Sequence, residues 1–238
     1  MLLFLLRHAE PIYEPDSITE HGQKQAEALS KRLALYGIDK IYSSSSKRAL
    51  ETAKPTAHAT GNKIEVLDWA NEALLWRDLS IVKENGEREW CFCDKSFIEF
   101  FQTREIRALG DKWYTHRAFA GSRYKEGIER INLESDKLLA SLGYRHDRER
   151  GGYLSDGVNR KRVAFFAHHG VGLTFLSSIL DIPYPMMTTH FDISHSGMTV
   201  IEFPQEGGFV VPKVLQLSSD SHLYRSGIVT RYNNRLYF

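Results

Sequence analysis

Three short stretches hold residue types that could transfer a phosphoryl group. Leu6-Arg7-His8-Ala9-Glu10 sets an imidazole beside a guanidinium, Ala167-His168-His169-Gly170 supplies two further imidazoles, and Ser43-Ser44-Ser45-Ser46-Lys47-Arg48 ends on a second arginine. A neutral imidazole is a competent nucleophile toward phosphorus, and the planar guanidinium fork matches phosphate oxygens. Neighbouring cations lower an imidazole's pKa and so favour its neutral form. A serine run that opens a helix adds backbone N–H groups facing an anion, with Arg48 beside them.

These stretches need elements that deliver them to one place. Leu2 to Leu6 and Val163 to Ala167 are unbroken apolar runs, the pattern of strands buried on both faces of a parallel sheet. Each run ends directly on a histidine-bearing loop. In open α/β sheets the crevice beyond the carboxyl ends of the strands is where ligands bind, so the two loops can meet there. Ile41-Tyr42, Ile64 to Leu67 and Met198 to Phe203 read as shorter strands, and Phe209 to Leu217 as an edge strand interrupted by Pro212.

Helical patterns lie between the strands. Thr19 is placed to cap a helix carrying Ala26, Leu29 and Leu33, with Gly37 as its stop, and Ser46 to cap a second helix that Pro55 should kink. Tyr124 to Leu142 carries an apolar stripe, and a further helix follows Gly170 to Leu180. The alternation predicts a three-layer α/β/α sandwich with a mostly parallel central sheet. It is interrupted from about Ala73 to Asn159 (73–159), an aromatic-rich stretch without a period-2 run. We read it as a mostly helical cap inserted into a single domain spanning 1–238 and lying over the carboxyl ends of the strands. Within it, Arg145 to Gly152 reads as a solvated loop, and Arg123 and Arg130 as a solvated helix face.

Composition narrows the function class. Lys plus Arg number 31 against 30 Asp plus Glu, so there is no basic field of the kind that attracts nucleic acid or an anionic membrane. The opening apolar run is too short for a membrane span and lacks a basic leader region. The only cysteines, Cys91 and Cys93, support neither a disulfide framework nor a zinc site. A cytoplasmic protein without a metal or other cofactor is expected.

Leu5-Leu6-Arg7-His8-Ala9-Glu10, then Ile18 to Ala26, then Tyr42-Ser43-Ser44 through Lys47-Arg48-Ala49 to Glu51-Thr52-Ala53, resembles the histidine phosphatase (phosphoglycerate mutase-like) superfamily in order and spacing. The similarity covers about residues 2–72 and 163–203. It implies that His8 attacks phosphorus and becomes phosphohistidine, while Arg7, Arg48 and His168 hold the phosphoryl oxygens. It also implies an acid that protonates the leaving oxygen; Glu72 falls at that position, to be kept protonated by a shielded site near several phosphate charges, with Asp78 and Glu10 as substitutes. The chain departs from the family pattern at Ala9, where Gly is usual, at Ser44-Ser45-Ser46, where Ser-Pro-Leu is usual, and at the doubled His168-His169, so His169 competes with His168. The resemblance implies hydrolysis of a small phosphorylated substrate. Mutase-type phosphoryl transfer and a catalytically idle phospholigand-binding protein are the alternatives.

Overall fold

The computed structural model describes residues 1–232 and 234, and its centre is a six-stranded sheet. In chain order the strands are β1 (Leu2–Arg7), β2 (Lys40–Ser44), β3 (Ile64–Leu67), β4 (Arg162–Ala167), β5 (Met198–Glu202) and β6 (Lys213–Ser219), and they lie in the order β6-β5-β1-β4-β2-β3. β1, β4, β2 and β3 are mutually parallel, in a register that pairs Leu5 with Phe165 and Phe165 with Tyr42; β5 runs antiparallel to β1. The two apolar runs are therefore adjacent central strands, and Arg7 pairs with Ala167 at their carboxyl ends.

Alternate residues of these strands supply two cores. Leu3, Leu5, Val163 and Phe165 face α4 (Tyr124–Ser141) and α5 (His169–Leu180), where Ile128, Ile131, Leu138 and Phe175 are buried. Phe4, Leu6, Ala164 and Phe166 face α1 (Glu20–Tyr36) and α2 (Lys47–Thr60) through Leu29, Leu33 and Ala53. A strand with large apolar side chains on both faces cannot be left open to water on either, so the three-layer arrangement follows from the sequence of β1 and β4.

Helix ends follow local chemistry. The Thr19 hydroxyl accepts from the Gly22 amide, and Gly37 closes α1 in the left-handed region. Gly22 is required for packing, because a Cβ there would stand 2.4 Å from the Glu10 carbonyl oxygen. Two expectations for α2 change. Its helix runs unbroken through Pro55, which lies on a half-exposed side where solvent can satisfy the carbonyl left without a donor. Ser46 makes no side-chain cap; the Asp16 carboxylate accepts from the Lys47 amide at 2.7 Å instead.

The stretch 73–159 is less uniformly helical than its sequence suggests. α3 (Glu72–Leu79) leads into a hairpin of Ser80–Val82 and Arg88–Trp90, and α4 forms part of the helical layer packed on the sheet rather than a cap. Residues 145–152, expected to be a loop, form a hairpin of Tyr144–Asp147 and Gly152–Ser155 that is joined by Gly208–Val210 into a second, antiparallel sheet. Tyr144 and Tyr153 are fully buried, and that apolar anchoring outweighs the charges between them. Gly152 permits the pairing, since a Cβ would meet the Phe209 ring at 2.6 Å. Pro212 does not merely interrupt one strand: it separates Gly208–Val210 from β6, which belong to different sheets.

Arg123 and Arg130 are not a free solvated face. With Arg77 they converge on the buried Asp78 carboxylate, which holds α3 against α4. Most aromatic side chains of the stretch are core: Phe101, Trp113 and Phe119 pack edge-on around one another, and Phe101 and Trp113 pack edge-on and stacked on Tyr184, which follows the stretch. Among the described residues no helix is long and apolar enough to cross a membrane.

Candidate active site

His8 leaves β1 at its carboxyl end, with its amide donating to the Ala167 carbonyl at 2.9 Å and its own carbonyl accepting from Ser196 at 3.1 Å. Its side chain is buried, and Nδ1 stands 2.8 Å from the Ala9 carbonyl oxygen. A carbonyl only accepts, so Nδ1 carries the proton and Nε2 keeps its lone pair. Burial pushes the imidazole well below its ordinary pKa, and His168 and Arg7 push it the same way. His8 is thus a neutral imidazole with one nitrogen tied down and the other held ready.

The residue after it must be small. Ala9 is fully buried against Ile18 and Ala26, and its amide donates to the Thr52 hydroxyl, which in turn donates to the Arg48 carbonyl. One short chain of bonds therefore ties the His8 loop to the first turn of α2.

His168 stands at the amino end of α5, its ring centroid 5.1 Å from that of His8. Its Nε2 lies 2.8 Å from the Ser44 hydroxyl and 3.2 Å from that of Ser46, either of which can donate. On that assignment Nδ1 bears the proton, and it is buried without a hydrogen-bond partner, 3.6 Å from Glu72 Oε2. Burial brings its pKa down to about 4 despite the Glu72 charge. His169 points elsewhere, to Asp192 Oδ1 at 2.7 Å and edge-on to Phe92. The structure therefore sets His168, not His169, beside His8.

The serine run that departs from the family pattern has specific contacts. Ser44 and Ser46 hold His168, and the Ser45 hydroxyl accepts from Asn71, whose side-chain oxygen caps α3 at the Ala73 amide. The same run thus fixes His168 and the helix that begins with Glu72.

Arg48 lies between two carboxylates: Nη1 donates to Asp16 at 2.8 Å and Nη2 to Glu72 at 3.2 Å. Glu72 also accepts from the Gly170 amide at 2.9 Å. Burial alone would raise its pKa, but His168, Arg48, the Gly170 amide and Arg7 together bring it below the ordinary carboxylate value. Without phosphate charge beside it, Glu72 is therefore held ionised. The reason is local: these four cationic or N–H partners act on this carboxylate before any phosphate charge is present.

Arg7 is buried, with Nη1 donating to the Ile193 carbonyl at 2.7 Å and Nη2 to His195 Nε2 at 2.8 Å. Its Nε and that of Arg48 are buried without partners. Buried guanidinium N–H groups are rarely left unpaired, so these two donors and His168 Nδ1 are left to take an acceptor such as an anion.

The two substitute acids have other partners. Glu10 accepts from the Thr19 hydroxyl and Arg231, and Asp78, brought down to about 2, belongs to its three arginines. His195 and Asp16 are the site residues that sequence reading missed. Each stands on a loop whose approach depends on pairing: His195 precedes an antiparallel strand, so the start of β5 lies at the carboxyl ends of its parallel neighbours.

Donor atoms of His8, Glu72 and His168 lie within 4.8 Å of one another, enough to suggest a cation site. Two adjoining guanidiniums oppose a cation and favour an anion, so the residue set fits a phosphoryl group better than a metal. Trp90 lies against Gly170, whose amide holds Glu72. A Cβ on Gly170 would meet its ring at 2.7 Å, and Trp76 and Phe92 pack against it at 4.8 and 5.3 Å.

The family model of the histidine phosphatase superfamily (branch 1) matches residues 3–75. No curated protein matches the sequence. Solved structures share the fold. Phosphoserine phosphatase from Entamoeba histolytica, in complex with 3-phosphoglyceric acid, is 19% identical with a TM-score of 0.58, covering 93% of this chain and 98% of its own. Mycobacterial glucosyl-3-phosphoglycerate phosphatase is 17% identical with a TM-score of 0.58, over 92% and 98%. The alpha-ribazole phosphatase from Shigella flexneri is 16% identical with a TM-score of 0.58, over 92% and 97%. The chain is thus similar to the histidine phosphatase superfamily over residues 3–75, and it shares the fold of these phosphatases over 92–93% of its length.

Proposed function

We propose that the protein is a phosphomonoesterase that hydrolyses a small phosphorylated molecule through a phosphohistidine on His8, in the cytoplasm and without a metal. The observation that carries this reading is the His8 imidazole, neutral and fixed through Nδ1, beside two arginines with buried, unpartnered Nε donors. The phosphatase names of the structures that share the fold support it. The unbridged thiols of Cys91 and Cys93 suit a reducing compartment.

His8 Nε2 attacks phosphorus as the phosphorus–oxygen ester bond breaks, and a proton from Glu72 goes to the leaving oxygen. Arg7, Arg48 and His168 Nδ1 hold the other phosphoryl oxygens and offset their charge. Water then attacks phosphorus, Glu72 takes up its proton, the phosphorus–nitrogen bond breaks and orthophosphate leaves. Glu72 must be protonated for the first step. A bound phosphoryl dianion supplies what the site alone lacks: it occupies the arginines and adds negative charge beside the carboxylate, raising its pKa.

The test is phosphate release from a panel of phosphomonoesters in excess chelator, with wild type and His8→Ala side by side. Release by wild type, lost by more than about 10³-fold in the variant, is expected for nucleophilic catalysis. Phosphate exchange without net release would identify a mutase, and ligand binding without either would identify a binding protein.

A further inference from the structure

The loop from Asp192 to Gly197 is more tightly determined than a connection between a helix and a strand requires. The Ser194 amide donates to the Ser218 hydroxyl at 2.8 Å, the Ser196 hydroxyl lies 3.0 Å from His222 Nε2, and the Ser196 amide donates to the His8 carbonyl. The Gly197 carbonyl accepts from the Arg7 amide. Ser196 itself has a φ of 54°, in the left-handed region that a serine rarely adopts. Such a conformation persists where surrounding bonds impose it, and functional sites are where it gathers.

What these bonds fix is the residue between the two serines. The His195 ring lies 5.5 Å from the His8 ring, and its Nε2 receives Arg7 Nη2 at 2.8 Å. A guanidinium only donates, so His195 Nε2 is the acceptor and the proton sits on Nδ1. Its companion contact, Arg7 Nη1 to the Ile193 carbonyl, comes from the same loop. Together they hold both terminal nitrogens of Arg7, and the nitrogen left without a partner is the buried Nε. A freely rotating arginine could offer an anion any edge; this one is turned.

Resting on the reading of the site as a phosphoryl site, we propose that His195 is a positioning residue that orients Arg7 so that its Nε edge faces the phosphoryl group on His8. Its depressed basicity, down to about 3 through burial and the Arg7 charge, keeps it an acceptor throughout the working range of such an enzyme. A neutral acceptor leaves the full charge of Arg7 available to the anion, where a carboxylate in the same place would offset it.

The test compares His195→Ala with His195→Gln, whose side-chain oxygen reaches about as far as the imidazole Nε2. Turnover of an aryl phosphate and binding of orthovanadate followed by vanadium NMR are measured on the full chain, with circular dichroism melting as the control for folding. We expect kcat of His195→Ala to fall about 10- to 100-fold with KM changed less than about threefold, and His195→Gln to recover most of the loss. Vanadate affinity should follow the same order. Activity of His195→Ala within twofold of wild type overturns the proposal, and so does an equal loss in both variants, since a space-filling role would not distinguish them. If wild type turns over no phosphoester, the function proposed above fails but the orientation is still tested. Vanadate binding weakened by Ala and restored by Gln then upholds it, and binding unchanged, or absent from wild type, overturns it.

Discussion

At the scale of single residues, the site separates the proposed nucleophile, His8, from the proposed acid, Glu72, by environment. His8 is kept neutral by burial and by its cationic neighbours, whereas Glu72, a little more exposed, is kept ionised by partners that outweigh burial. Productive encounter thus requires one proton shared between Glu72 and the incoming phosphate, whose second ionisation lies near pH 6. We expect kcat/KM to fall about tenfold per pH unit above about pH 6, while His8, already neutral, imposes no loss down to well below that value. A profile rising from pH 6 to 8 would contradict this assignment. Glu72→Gln should cost about 10²-fold or more with an alkyl phosphate and much less with a nitrophenyl phosphate, whose leaving oxygen needs no proton. Equal losses on the two substrates would remove Glu72 as the acid.

At the scale of elements, close approach and charge clusters decide what can change. In Gly22→Ala the new Cβ would meet the Glu10 carbonyl, a backbone atom that cannot yield cheaply, so chemical denaturation should show a loss of about 1–3 kcal/mol. Asp78→Ala removes the acceptor for three arginines. Arg77 and Arg123 are more than half exposed, so the loss should be about 2 kcal/mol, below that of a fully buried pair. The elements most legible in the sequence were those with one dominant signal. β1 and β4 are apolar on both faces, α1 carries its own cap and stop, and Arg7, His8, Arg48 and His168 follow directly from strand ends and one helix start. The hairpin Tyr144–Asp147 and Gly152–Ser155 was hidden because its two buried tyrosines are separated by charges, and its third strand arrives from Gly208–Val210. His195 and Asp16 were hidden for the same kind of reason: neither lies beside a chemical motif in sequence, and only pairing across the sheet or hairpin brings them to Arg7 and Arg48.

At the scale of the whole molecule, the second sheet is fastened to the helical layer by His146. Its Nδ1 stands 2.8 Å from Asp136 and its Nε2 2.9 Å from Asp181, with Arg148 on both carboxylates and the Tyr153 ring stacked at 4.2 Å. Both nitrogens face acceptors, so the imidazolium is the bonded form, and its pKa is raised in spite of burial. A raised folded-state value stabilises fully below the unfolded value near 6.5 and is lost as pH climbs through the folded one. His146→Ala should therefore be less stable than wild type by about 2 kcal/mol at pH 6, with the gap narrowing at alkaline pH. Melting temperatures across pH 5.5 to 9 would show it, and a gap that stayed constant or widened would mean the ring is held by packing alone.

The position of Arg48 between Asp16 and Glu72 has a thermodynamic consequence for the ligand. The Asp16 and Glu72 carboxylates already offset part of the charge of Arg48, so a phosphate dianion entering the site is only partly balanced by the arginines that hold it. The least costly remedy is to draw in hydrogen ions from solution. Calorimetric titration of His8→Ala with orthophosphate at pH 7.5 should then give a binding heat that changes with the ionisation enthalpy of the buffer, with a slope near one proton taken up. In Asp16→Asn the slope should shrink and the affinity rise, because one of the two opposing charges is gone.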